Sequence, residues 1–359
     1  MLRRWSLNAA LTFASLLLAL SPLEIGLRLY DGIPLPKFAN FIGEVIDLLK
    51  GDATLDYDGT LGWRPKANLH AAIFDTGAYG VRIADGAGHP IPTGAILASG
   101  DSFTFGSDVG NSETWPAYLE AMIGTPVVNA AAPGWGTDQI VLRAEQMIDI
   151  ARPKTVIVSF LWYDIGRAEE EIEFGAHKPY YTIGDGKLVQ HNVPVPRLSS
   201  RPDEIGLARA VLGYSYAIYW AAQRLGLDGW LGANTHKRAT PGGTGIQISC
   251  LLMQRLKARA DAGGIRLMLV MQYGAGDFER PEPQPALAVL RCAGDLGIAA
   301  VDTWVTLAEI HANDAPRFRS LFLVQDTGWS HMSAAGNRHV ASMVAEQLQD
   351  PQKGTASRH

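Results

Sequence analysis

The chain carries one serine where a nucleophile could act. In "ILASGDSFTFGSDVG", Ile96 to Gly110, an apolar run stops at Gly100 and is followed at once by Asp101, Ser102 and, four residues beyond the serine, Gly106. Taken alone, Ser102 is a turn or helix-capping residue, because serine favours positions where its oxygen meets unpaired backbone N–H groups. Taken as chemistry, it lacks what a hydroxyl needs at neutral pH. A histidine must accept its proton, an acid should orient the imidazole, and backbone donors must hold the oxyanion.

Those groups have to be assembled by a scaffold, and the pattern around Ser102 predicts one. "GAILAS" reads as a strand, "SETWPAYLEAMIG" as a helix capped by Ser112 or Thr114 with Pro116 in its first turn, and "TPVVNAA" as a second strand. "TDQIVLRAEQMIDIAR" is a helix, and "KTVIVSFLW" is a strand apolar throughout, as burial on both faces requires. After an interruption the alternation resumes with a helix around "QISCLLMQRLKARADAGG", a strand "IRLMLVMQY", a helix "PALAVLRCAGDLG", a strand "IAAVDTW" and a final helix "SAAGNRHVASMVAEQLQ". This order predicts an α/β fold with a central parallel sheet. Ligands bind such sheets beyond the carboxyl ends of the strands, which is where Ser102 falls.

The interruption, about residues 166–245, holds the charged "RAEEEIEF", a polar proline-rich loop and the apolar segment Ile205–Leu227. That segment includes Tyr214, Tyr216, Tyr219 and Trp220, with Arg209 and Arg224 as its only charges. Two arginines argue against a membrane span. A core helix of the insertion is the favoured reading; a lid or a membrane-facing surface is the alternative, and residues 205–230 could also contact a protein partner. Residues 30–93 read as an irregular, strand-containing lead-in and residues 350–359 as a loose tail.

Residues 1–29 read as a membrane anchor. "WSLNAALTFASLLLALSPL", Trp5 to Leu23, carries no charge, and at about 1.5 Å per residue it approaches the ~30 Å of a bilayer core. Arg3 and Arg4 precede it while Glu24 and Arg28 follow, which places the N-terminus in the cytoplasm and the main domain outside, in the periplasm or its equivalent. An uncleaved anchor is favoured over a cleaved signal peptide because Pro22 would sit just after any cut following Ser21.

With 47% hydrophobic and 19% charged residues the chain is of ordinary globular composition, and a net charge of −5 without Lys/Arg blocks excludes the footprint of a nucleic-acid binder. Cys250 and Cys292 have neither zinc-site nor redox spacing and are expected as two buried thiols rather than a disulfide. No histidine spacing suits a metal, and neither metal nor cofactor is expected.

"GDSFTFG" resembles the first block of the SGNH, or GDSL-type, serine hydrolases. "VVNAAAPGWGTDQ" is similar to the second block, whose glycine supplies an oxyanion N–H, and the match falls on Gly134. "HMSAAGNRHVA" resembles the last block, placing the catalytic histidine at His331. "LGWRPKAN" and "YGVR" also look like the lead-in of membrane-anchored bacterial members. The resemblance covers about residues 94–348 outside the insertion and implies a flavodoxin-like three-layer sandwich. Two positions depart from it. Tyr163 stands where the third block has an oxyanion-donating Asn, and Gly328 stands three residues before the histidine, where the orienting Asp is usual. The nearest candidate acid is Asp326; otherwise the pair acts as a dyad.

The resulting expectation is a membrane-anchored extracytoplasmic esterase acting on an ester-bearing lipid, glycan or small molecule. Its catalytic residues would be Ser102, His331 and Asp326, with the N–H groups of Ser102 and Gly134, and the Tyr163 hydroxyl, at the oxyanion. An O-acyltransferase using the same residues and a degenerate domain serving a membrane assembly are the alternatives.

Overall fold

The computed structural model describes residues 21–37, 40–41, 54–83, 90–196, 206–225, 227, 236–324 and 330–349. The chain forms two compact units. The larger comprises Thr54–Glu173, His177–Arg197 and Lys237–His359, and the smaller comprises Met1–Ala53, Phe174–Ala176 and Leu198–His236.

The larger unit is built on five parallel strands, β1 (Ile96–Gly100), β2 (Val127–Asn129), β3 (Thr155–Leu161), β4 (Arg266–Gln272) and β5 (Ala299–Asp302). Their spatial order is β5-β4-β3-β1-β2. The order reverses between β1 and β3, so the crevice of this doubly wound sheet opens beyond the ends of those two strands. Every residue of β1 and of β3 is buried, which requires cover on both faces. Helix α2 (Trp115–Ile123) packs against α6 (Ala334–Gln349), while α3 (Thr137–Ala151) packs against α4 (Thr244–Ala262), which also meets α5 (Gln284–Asp295). Thr114 caps α2, its hydroxyl accepting from the Ala117 N–H, with Pro116 in the first turn.

The lead-in is an antiparallel hairpin, Leu55–Asp58 with Gly62–Pro65, followed by turns and isolated bridges. One of these joins Arg82 to Asn129 at the end of β2. Two further strands, β6 (Phe322–Val324) and β7 (Ser330–Met332), pair antiparallel, with Leu323 opposite His331.

Two expectations change here. Cys250 and Cys292 form a disulfide with their Cα atoms 5.8 Å apart; the two thiols lie on α4 and α5, and packing of those helices brings them into range. Reducing it, or Cys250→Ala, is expected to cost about 2–4 kcal/mol for a loop spanning 42 residues, read as a lower denaturant midpoint with a raised m-value, because the released unfolded chain exposes more surface. The second change is in the smaller unit. Ile205–Leu227 is not one core helix: helices Gly206–Leu212 and Tyr216–Arg224 are separated by a break at Gly213–Ser215, and Leu207 and Val211 are exposed.

Among the described residues no helix is long and apolar enough to cross a membrane. The segment Trp5–Leu23 lies, except for its last three residues, outside them. Those three begin a helix over residues 21–30. Asp326 and residues 350–359 are outside the described residues as well.

Candidate active site

Ser102 is placed by the way β1 ends. The fully buried Asp101 caps a four-residue helix α1 (Ser102–Phe105), its carboxylate accepting from the Phe103 N–H at 2.9 Å. Ser102 therefore heads a helix at the sheet's switch point, where its own N–H has no intrahelical acceptor. His331 comes from β7. Its Nε2 lies 2.9 Å from Ser102 Oγ, and its Nδ1 lies 2.6 Å from Asp108 Oδ2. An ionised carboxylate can only accept, so the proton resides on Nδ1 and Nε2 is left to accept from the serine.

The carboxylate at His331 Nδ1 is thus that of Asp108; Asp326, the expected partner, lies outside the described residues. The chain turns back just after Ser102: α1 ends at Gly106, whose φ of 75° is the left-handed conformation glycine adopts without strain, and the Gly106 and Ser107 N–H groups both return to Ser102 O. The buried guanidinium of Arg82 holds this return, donating to the carbonyls of Phe105, Gly106 and Val109. Burial pushes Arg82 down to about 10, still far above neutrality, so the clamp keeps its charge.

The same lead-in fixes the loop after β2. The Trp63 indole donates to Pro133 O at 2.9 Å and the Trp135 indole donates to Trp63 O at 3.1 Å, bracketing Gly134. Gly134 has φ 76°, a conformation a side chain would strain. Buried Asn337 ties the histidine strand to the helices, accepting from the Trp115 N–H and donating to the carbonyls of Met332 and Ser333. Ser330, beside His331, accepts from the Ala275 N–H at 2.9 Å.

The chain resembles the SGNH hydrolases in motif order. No protein-family profile and no curated protein matches it. Among solved structures it is similar to the lipase/acylhydrolase from Enterococcus faecalis, at 11% identity and TM-score 0.40 over 74% of this chain and 99% of that one. It is also similar to an acetylxylan esterase from Geobacillus stearothermophilus, at 14% and 0.42 over 73% and 97%. A third is a psychrotrophic esterase from Pseudoalteromonas sp., at 10% and 0.37 over 72% and 99%. At such scores these likenesses decide nothing about the chemistry, which rests on the Ser102, His331 and Asp108 geometry.

The SGNH-like third block follows β3. The Tyr163 hydroxyl donates to Asp277 Oδ1 at 3.1 Å, and its ring packs on Trp162 with centroids 4.0 Å apart. Burial and the Asp277 charge push the phenol up to about 12. A phenol has one proton, and here Asp277 receives it, so Tyr163 would have to break that bond to serve an oxyanion. Asp164 is structural. Its Oδ2 accepts from the Leu161 N–H at 2.8 Å and its Oδ1 pairs with Arg167 at 2.6 Å. Arg167 also reaches Glu173 at 3.1 Å and approaches Asp101 at 3.9 Å. Burial, then the nearby Asp101 charge, holds the Asp164 carboxyl well above the usual range against the pull of Arg167. His339 is away from this constellation, its Nε2 3.2 Å from Thr306 Oγ1.

Proposed function

We propose that the chain is an SGNH-type serine esterase in which Ser102, His331 and Asp108 form the catalytic triad. The observation that carries this reading is the unbroken line of two hydrogen bonds, Ser102 Oγ to His331 Nε2 and His331 Nδ1 to Asp108. As Oγ forms its bond to an ester carbonyl carbon, the serine proton passes to Nε2. Collapse of the tetrahedral species breaks the bond to the alkoxide, which leaves with that proton as the alcohol. A water then attacks the acyl-serine by the same route, Nε2 taking its proton and returning it to Oγ. The Ser102 N–H at the head of α1 and the Gly134 N–H on its clamped loop would be the oxyanion donors, and Asp108 would stabilise the imidazolium formed in each half-reaction. An alcohol in place of that water would make the same residues an acyltransferase.

The site is read as extracytoplasmic, tethered by Trp5–Leu23. Support comes from the arginines ahead of that segment and from the Cys250–Cys292 disulfide, a bond that persists in oxidising compartments.

The test is covalent labelling of the full-length protein with a serine-reactive fluorophosphonate. Adduct mapped to Ser102 and absent from both Ser102→Ala and His331→Ala is the expected result. A folded wild-type protein that takes no label would sink the proposal.

A further inference from the structure

The smaller unit carries most of the exposed large apolar side chains among the described residues, although it supplies the lesser share of them. Leu207 is 82% exposed, Leu225 72% and Tyr30 79%, with Val211 and Leu29 also open. On Gly206–Leu212, Leu207 and Val211 are one helical turn apart and so share a face. Large apolar side chains exposed on one helical face and concentrated in one unit point to a surface with a partner.

Hydrogen bonds in this unit identify where that surface sits in the chain's own geography. Glu24 is the first residue after the uncharged Trp5–Leu23 segment. Its carboxylate accepts from the N–H groups of Tyr216 and Ala217 and from Ser215 Oγ, each at 2.9 Å, and thereby caps the helix Tyr216–Arg224. Tyr216 in turn donates to Asp31 at 2.7 Å, and the Phe41 N–H donates to Gly213 O at 2.8 Å. The break between the two helices is therefore pinned to the residue at which the apolar segment ends. A bilayer that the segment entered up to Leu23 would end beside this break.

We propose that the helices Gly206–Leu212 and Tyr216–Arg224 lie in the headgroup layer of that membrane, with Leu207 and Val211 facing the acyl boundary. The inference rests on Trp5–Leu23 being membrane-inserted. An interfacial helix buries its apolar face about 5–10 Å into the headgroup and acyl boundary, and Val211 and Leu207 lie on the helix that runs up to the break held by Glu24. Tyr30 and Tyr214, both exposed, are of the type enriched at that level, with an apolar ring and a polar tip. The membrane-facing alternative for Ile205–Leu227 is thereby preferred to a core helix, and the occupant is lipid rather than protein.

Full-length protein reconstituted into phosphatidylcholine/phosphatidylglycerol vesicles tests this. The native cysteines are both in the disulfide, so single thiols introduced by Leu207→Cys, Val211→Cys, Ala14→Cys and Asp149→Cys can each take an environment-sensitive fluorophore without reduction. Nitroxide lipids labelled near the headgroup should remove most of the signal at 207 and 211, nitroxides deep in the chain should quench 14, and 149 should be untouched. Quenching at 14 without quenching at 207 and 211 overturns the interfacial seat while leaving the anchor intact. No quenching at 14 overturns the anchor and, with it, this inference. Probes at 207 and 211 that are dry yet unquenched by lipid mean that protein covers the face, which also overturns it.

Discussion

Asp108→Asn is expected to lower the rate of ester cleavage about 10⁴-fold, which is near 5.5 kcal/mol of transition-state stabilisation. The size follows from tautomer control. The Asp108 carboxylate accepts from Nδ1 at 2.6 Å and so leaves Nε2 free to take the Ser102 proton. An amide can present its NH2 to Nδ1, which favours the tautomer protonated at Nε2, and that tautomer cannot act as a base. Asn also has no charge with which to stabilise the imidazolium. Folding should change little, because Asp108 is partly solvent-exposed and the return loop is held by Arg82 through backbone carbonyls. Asp326→Asn should keep the rate within a few-fold, since Nδ1 has one proton and Asp108 holds it. Steady-state hydrolysis of a chromogenic short-chain ester, with thermal unfolding of each variant, reads both. Reversal of the two outcomes would return the acid to the C-terminal loop and leave Asp108 as a surface neighbour.

That acid is also the clearest case of what the sequence withheld. Strand and helix alternation from residue 94 onward, the cap at Thr114 and the placement of Ser102 at a strand end are local patterns, and each survives into the structure. Ser102 and His331 meet because the crossover order of the strands brings two distant loops to one edge, which the order of the sequence blocks already implied. Asp108 needed more than local information. Only a left-handed Gly106 and an arginine arriving from the lead-in turn "GSDVG" back toward the histidine, and neither the bend nor the clamp is visible as a spacing. The signal that could have found it was Gly106 followed at once by a polar Ser-Asp pair, beside Ser102 rather than His331. The bracing role of the lead-in is likewise not legible in local pattern. Its irregular composition hid that Trp63 and Arg82 brace the two loops flanking Ser102. The disulfide depended on α4 lying against α5, a tertiary fact that two cysteines far apart in sequence could not express.

Arg167→Met is expected to destabilise the protein by about 3–5 kcal/mol, the usual cost of removing one partner from a buried ion pair. Its guanidinium is buried beside Asp164 at 2.6 Å and Glu173 at 3.1 Å, with Asp101 at 3.9 Å. Methionine matches the stem but leaves three carboxyl groups without their cation. Two of them cap the ends of the strands that flank Ser102, Asp101 holding the Phe103 N–H and Asp164 the Leu161 N–H. The loss should also change how stability depends on pH, and the sign can be worked out. Burial already raises Asp164 above its unfolded value of 3.8, and Asp101 likewise, so the folded state binds protons more readily than the unfolded chain. Stability from such groups is fully present below the unfolded value and is lost as pH rises through the raised one. Without Arg167 the folded values rise further. The deficit of the variant against wild type should therefore be larger at pH 8 than at pH 5, measured by urea unfolding at both. A deficit that grows on acidification would mean that Arg167 is not what neutralises the carboxyl groups at the ends of these strands.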